Sequence, residues 1–126
     1  GLENVVKFAG AVSSSQKWKE LRALDVYIQP SFSEGGPISL VEALSLGLPI
    51  IATRTSGVSY WQGNSFLYMV EPNPRDLAEG IKAFIEGEAD RKALSERAVA
   101  FYKENFRWED IVQIPYKEYM RVCENH

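Results

Sequence analysis

Cysteine and histidine are almost missing from this chain. The one cysteine, Cys123, cannot close an internal disulfide, which fits a reducing compartment. The one histidine, His126, is the last residue, so no histidine-based catalytic pair or metal cluster can be assembled, and no metal is implied. Basic runs are missing too. With a net charge of −3 and a pI of about 5.2, the chain has no Lys/Arg stripe to offset a nucleic-acid backbone, so no nucleic-acid partner is expected. No apolar run approaches the ~18 residues of a membrane span. No signal-peptide pattern is read ahead of the first expected strand, and the expected location is cytoplasmic. Internal repeats, low-complexity stretches and linkers are likewise absent from the sequence.

What is present is ordinary for a folded domain. The 126 residues are 45% hydrophobic, 25% charged and 12% aromatic, which argues against disorder. A single domain of this size buries roughly two-thirds of its unfolded surface.

The chain is organised around residues 26–53. Val26-Tyr27-Ile28-Gln29-Pro30 reads as a short buried strand, followed by a loop over residues 31–37 that carries Glu34-Gly35-Gly36-Pro37. A helix is expected over residues 39–46, stopped by Gly47-Leu48-Pro49, and a second buried strand follows at Ile50-Ile51-Ala52-Thr53. This is one βαβ unit, close to the ~30-residue minimum of the motif. Its loop lies at the carboxyl end of a strand and the amino end of a helix, where ligands bind in open α/β sheets.

Around the hub, Val5-Val6-Lys7-Phe8-Ala9-Gly10 is β-rich and is expected to form the first strand. A serine among residues 13–15 can cap a helix over residues 16–24, whose Trp18, Leu21 and Leu24 recur at helical spacing, with Trp18 read as core or staple. Beyond the hub come a loop over residues 54–57, turns over residues 59–64 and a last strand, Phe66-Leu67-Tyr68-Met69-Val70. Helices are expected over residues 75–86, with Asp76 in the first turn and Gly87 at the end, and over residues 90–105. Phe106-Arg107-Trp108-Glu109-Asp110 opens a last helix in which Pro115 must remove a backbone hydrogen bond and kink the chain. Strands alternating with helices imply an α/β fold: a Rossmann-like parallel sheet of about four strands flanked by helices.

Each feature of the hub loop has two readings from the residues alone. Gly35 and Gly36 before Pro37 make a turn, or they let a ligand approach the backbone closely. The helix start supplies free N–H groups and partial positive charge, which favour an anion such as a diphosphate. Glu34 is a solvated loop acid or a ligand-facing carboxylate. Ser39-Leu40-Val41-Glu42 has the S-x-x-E spacing of a capping box, in which Glu42 bonds back to the Ser39 N–H and needs no ligand. Arg54 can reach a phosphate or remain a surface charge. Tyr60, Trp61 and Tyr68 can form a sugar-stacking surface or simply pack.

Pro30-Ser31, Glu34-Gly35-Gly36-Pro37, Ser39-Leu40, Glu42-Ala43 and Gly47-Leu48-Pro49-Ile50 resemble the signature of group 1 (family 4) glycosyltransferases. These are retaining, nucleotide-sugar-dependent enzymes of the GT-B fold, marked by Glu, seven residues, Glu. The likeness covers nearly the whole chain: residues 5–10 are similar to the third strand of the family's C-terminal domain, and Phe106-Arg107-Trp108-Glu109 with residues 116–119 to its C-terminal tail. It implies that residues 1–126 are part of the C-terminal donor-binding domain, without the N-terminal acceptor domain and the first strands. The implied parent transfers a sugar from a nucleotide-diphosphate sugar to a saccharide or lipid-linked acceptor in polysaccharide or glycolipid biosynthesis. It needs no separate cofactor, and it is cytoplasmic or peripheral at the inner membrane face.

Residue by residue, the resemblance places Glu34 beside the donor sugar as the catalytic carboxylate, steadying positive charge at the anomeric carbon. It lays Gly35, Gly36, Pro37, Ile38, Ser39 and Leu40 against the sugar and diphosphate, and has Glu42 accept the two ribose hydroxyls. Gly10 and the residues to Ser13 fall in the family's base-contacting loop, which acts through backbone atoms. There are departures. The family's Gly-Gly-x-x-Glu loop is here Ser56-Gly57-Val58-Ser59-Tyr60, so no carboxylate stands there. The Arg and Lys that neutralise the donor diphosphate belong to the absent strands, so the fragment alone is expected to be inactive. The first strand must then pair directly with the hub strand, stand off the sheet, or pair with another copy, and self-association is expected. The alternative is a non-catalytic nucleotide-sugar-binding or interaction module of the same fold.

Overall fold

Alternating strand and helix signals become three layers, helix, sheet and helix, in a computed structural model that describes residues 2–87 and 90–124. His126 lies outside the described residues. In chain order the elements are α1 (Ser14–Arg22), β1 (Tyr27–Gln29), α2 (Ile38–Ser45), β2 (Ile50–Thr53), α3 (Ser56–Ser59), β3 (Leu67–Val70), α4 (Pro74–Glu86), α5 (Arg91–Asn105), α6 (Trp108–Ile111) and α7 (Gln113–Glu124). The three strands are parallel in the order β1-β2-β3, with Tyr27 beside Ile50, Gln29 beside Ala52, and Ile50 beside Leu67.

All four residues of β2 are buried, because helices cover both faces of the central strand. Side chains alternate across a strand, so β2 feeds two cores. Ile50 and Ala52 join Leu40, Ala43 and Leu44 of α2, Ala98 of α5, and Trp61 and Phe66. Ile51 points the other way, to Phe84, Leu77 and Ile81 of α4. Trp18 packs against the first core, as its spacing predicts.

Helix ends follow local chemistry. Ser13 caps α1 through a capping box with Gln16. Asn73 and Asp90 cap α4 and α5 with their side chains. At the end of α2 the Leu48 N–H bonds the Ala43 carbonyl and the Gly47 N–H bonds that of Leu44, a Schellman closure. Gly47 takes the left-handed conformation this requires, φ 73°, and a Cβ there would meet Val99 at 3.2 Å and overlap Ser95 of α5.

Three expectations are corrected. The sheet has three strands among the described residues, not about four. Residues 5–10 form no ladder; the chain turns through Leu2, Val5 and Val6 and leaves Phe8 94% exposed. A strand exists only as a paired element, and in the doubly wound order the third and fourth strands are not neighbours. The last helix is two, broken at Val112: Pro115 cannot donate to the carbonyl four residues back, at Ile111, so α6 ends there and Pro115 sits in the first turn of α7, where no intrahelical donor is needed. Finally, residues 56–59, read as loop and turn, wind into the short helix α3.

Candidate functional site

The β1–α2 loop is held at both of its ends and along its middle. At its base, the Thr53 hydroxyl at the end of β2 is directed at the carbonyls of Gln29 and Ser31. In its middle, the Gly57 N–H of α3 donates to the Glu34 carbonyl at 2.9 Å. The two backbones approach so closely that a Cβ on Gly57 would lie 2.6 Å from that oxygen and 2.9 Å from the Gly35 carbonyl carbon. Glycine is therefore required at residue 57 by contact, not by conformation.

Glu34 is half-buried, and its carboxylate is gripped rather than solvated. Oε1 accepts the Ser31 hydroxyl at 2.6 Å and the Gln29 side-chain N–H at 2.7 Å. Gln29 also donates to Ser31 Oγ at 2.7 Å, while its own oxygen accepts the hydroxyls of Tyr27 and Ser39, each at 3.2 Å. A carboxylate can only accept, so the amide nitrogen must face Glu34 and the amide oxygen must face the hydroxyls. One side chain at the end of a strand thus ties the loop acid to the second residue of α2.

Next to this acid the backbone lies open. Gly35 and Gly36 are exposed, and a Cβ built on either meets nothing within 4 Å. Pro37 is the N-cap of α2, and no side-chain oxygen caps the helix. Ile38 is 74% exposed. Leu40, by contrast, is fully buried in the core, and its N–H bonds the Pro37 carbonyl at 3.0 Å, so its side chain is unavailable to a ligand.

The capping-box reading of Glu42 does not hold. The helix begins one residue before Ser39, whose hydroxyl goes to Gln29 instead. Glu42 instead binds Lys17 of α1 at 2.6 Å, with side chains 20% and 40% exposed respectively. Glu42 is thus a largely buried carboxylate of α2, balanced by one ammonium of α1. Gly10, in the left-handed conformation at φ 70°, makes its turn in the loop leading to α1, and a Cβ there would meet nothing within 4 Å.

The remaining candidates separate. Arg54 donates to Glu71 at 2.8 Å and to Gln62 at 3.0 Å, so its charge is engaged away from the loop. Trp61 is buried against Phe101 and Phe106 at centroid distances of 6.0 and 5.5 Å. Tyr68 sits edge-on to Phe84 in the second core, and Tyr60 is 89% exposed. The sheet lies between the two cores, so the three rings share no stacking surface. Sequence reasoning missed Gln29, Lys17, Thr53 and the contact made by Gly57. A polar residue ending an otherwise apolar strand could have drawn attention to Gln29; a lysine 25 residues from its partner offers no local signal.

Comparison with known proteins points to one family. A family model described as glycosyl transferases group 1 matches residues 1–101. An uncharacterized glycosyltransferase of Methanocaldococcus jannaschii is 32% identical over 126 residues, covering 98% of this chain and 31% of the relative. The D-inositol 3-phosphate glycosyltransferase of Pseudarthrobacter chlorophenolicus is 28% identical over 127 residues, 99% of this chain and 30% of that protein. The gpi3 subunit of the phosphatidylinositol N-acetylglucosaminyltransferase of Schizosaccharomyces pombe is 28% identical over 122 residues, 97% of this chain and 27% of its own length. The chain therefore spans less than a third of these relatives. Among solved structures, sucrose-phosphate synthase from Thermosynechococcus elongatus superposes with a TM-score of 0.89 over 99% of this chain and 32% of that one, at 22% identity, a likeness of fold.

Proposed function

This chain belongs to the group 1 glycosyltransferases, and from that premise we propose that it is part of the donor-binding domain of a larger enzyme that transfers a sugar from a nucleotide-diphosphate sugar with retention. The observation that carries the reading is the Glu34 carboxylate, held at 2.6 and 2.7 Å at the open end of β1 beside two exposed glycines. In this reading the diphosphate lies along Gly35, Gly36, Pro37 and the first N–H groups of α2, where the helix end favours negative charge. Glu42 receives the ribose hydroxyls, and the backbone around Gly10 borders the base.

The chemistry follows from charge placement. The bond from the anomeric carbon to the diphosphate oxygen breaks, the acceptor oxygen bonds to the same carbon on the face the diphosphate left, and the acceptor's proton passes to the departing diphosphate oxygen. Positive charge developing on the ring is stabilised by Glu34, and negative charge developing on the leaving oxygen by the amino end of α2. The acceptor is a saccharide or a lipid-linked group bound outside these residues. A relative named for phosphatidylinositol supports a lipid-linked acceptor. Among the described residues no helix is long and apolar enough to cross a membrane.

One observation favours a second reading. The end of α3 presents Tyr60 to solvent where the family resemblance expects an acid, which suits a module that binds the donor without transferring it. The two separate on donor turnover by the parent protein.

Gly36→Ala tests the placement of the donor. A methyl group there meets no protein atom and no left-handed backbone, so stability is expected to stay level or rise by about 0.4–1 kcal/mol. Donor affinity, read by calorimetric titration of the parent protein, is expected to fall about tenfold, the equivalent of ~1.4 kcal/mol of lost contact. Unchanged affinity would mean that the donor does not lie against Gly36.

A further inference from the structure

The geometry points to Gln29 as a positioning residue for Glu34. The proposal rests on the reading that Glu34 stands beside the donor sugar. As a structural element, β1 has no need of an amide: Ile28 packs into the second core and Tyr27 against the first, and an apolar residue beside the small Ala52 would serve the sheet equally well. An amide in a half-buried position costs free energy unless its groups are paired. Every hydrogen-bonding role of this one is filled: its nitrogen faces Ser31 and Glu34, its oxygen Tyr27 and Ser39.

The pairing has a direction. Glu34 is on a loop, and a loop carboxylate samples several rotamers unless fixed. Ser31 restrains it from three residues away in the same loop, through a hydroxyl whose own residue is tied to Thr53 by its carbonyl. Gln29 is anchored in the ladder, because β1 is hydrogen-bonded to β2 with Gln29 in register with Ala52. It therefore transmits the position of the sheet to the carboxylate. Through its oxygen it also binds Ser39 in the first turn of α2, the helix start expected to carry the diphosphate. One rigid side chain sets the separation between the group that meets ring charge and the group that meets leaving-group charge. Such supporting contacts decide whether a catalytic group is held closely enough to act.

The test is a double-mutant cycle in the parent protein on donor turnover. Gln29→Met keeps the length of the side chain and removes all four hydrogen bonds; Gln29→Glu keeps its shape but sets a second carboxyl group against Glu34, where the two repel or share one proton. Each is expected to lower kcat by about tenfold to a hundredfold, the cost of misplacing a reacting group by up to ~1 Å, with the donor KM little changed because Glu42 and the glycines are untouched. In a Glu34→Gln background the effect of Gln29→Met is expected to shrink to the smaller part that passes through Ser39 and the helix start, since the charge that Gln29 positions is gone. If Gln29→Met costs the same factor in both backgrounds, or lowers only the melting temperature, Gln29 is structural and the proposal fails. If Glu34→Gln itself leaves kcat unchanged, the reading of Glu34 fails first, and the proposal with it.

Discussion

Glu34→Gln in the parent protein is expected to lower kcat for sugar transfer by about 10²–10³, the range for removing one preorganised group that meets transition-state charge. Glutamine retains the shape of the side chain, and its oxygen can still accept from Gln29 and Ser31, which now hold Glu34 at 2.7 and 2.6 Å. The fold and the donor KM should therefore stay close to those of the native protein. The effect would be confined to the step in which the anomeric carbon carries positive charge. Steady-state kinetics with a melting curve separate these outcomes. A kcat equal to that of the native protein would show that no charge at Glu34 is used in the reaction.

A second large effect is expected at a residue that touches no ligand in this account. Gly57→Ala must place a methyl group 2.6 Å from the Glu34 carbonyl oxygen and 2.9 Å from the Gly35 carbonyl carbon. Both are backbone atoms, so no side chain can swing aside, and the 2.9 Å hydrogen bond from the Gly57 N–H must lengthen as the segments part. Overpacking of this kind costs about 1–3 kcal/mol, read as a lower midpoint in thermal unfolding. Because the displaced segment carries Glu34, transfer is expected to fall about a hundredfold as well, as for a reacting group moved by ~1 Å. Native stability together with native turnover would mean that the loop yields freely and is not held by α3.

These two residues differ in how far the sequence discloses them. Glu34 stands in a local pattern, Glu-Gly-Gly-Pro between a strand and a helix, and such patterns carry their own chemistry. The hub was legible for the same reason: the β1–α2–β2 order and the stop at Gly47-Leu48-Pro49 depend on neighbours a few residues apart, and the Schellman closure at Gly47 follows from them. The loop over residues 54–57 disclosed nothing comparable, since the requirement for glycine at residue 57 comes from the backbone of Glu34 and Gly35, more than 20 residues earlier in the chain.

Elsewhere a local signal was present and lost to a distant partner. Ser39 and Glu42 have the spacing of a capping box, but the helix starts earlier, Ser39 turns to Gln29 and Glu42 to Lys17 on another helix. Ser13 and Gln16, with no such rivals, form the box their spacing allows. Residues 5–10 have strand composition and no ladder, because propensity describes a residue and pairing describes two segments. Trp61 and Tyr68 are seven residues apart, yet the sheet sends them to separate cores.

The central claim is that the end of β1 and the start of α2 bind a nucleotide sugar, and amide-detected NMR of the parent protein titrated with UDP, GDP and ADP tests it most directly. The account predicts that the shifts in this chain are confined to residues 10–13 and 34–42 and to Lys17, the partner of Glu42, and are larger for one nucleotide than for the other two. Nucleotide at millimolar concentration that leaves both segments unmoved would contradict it.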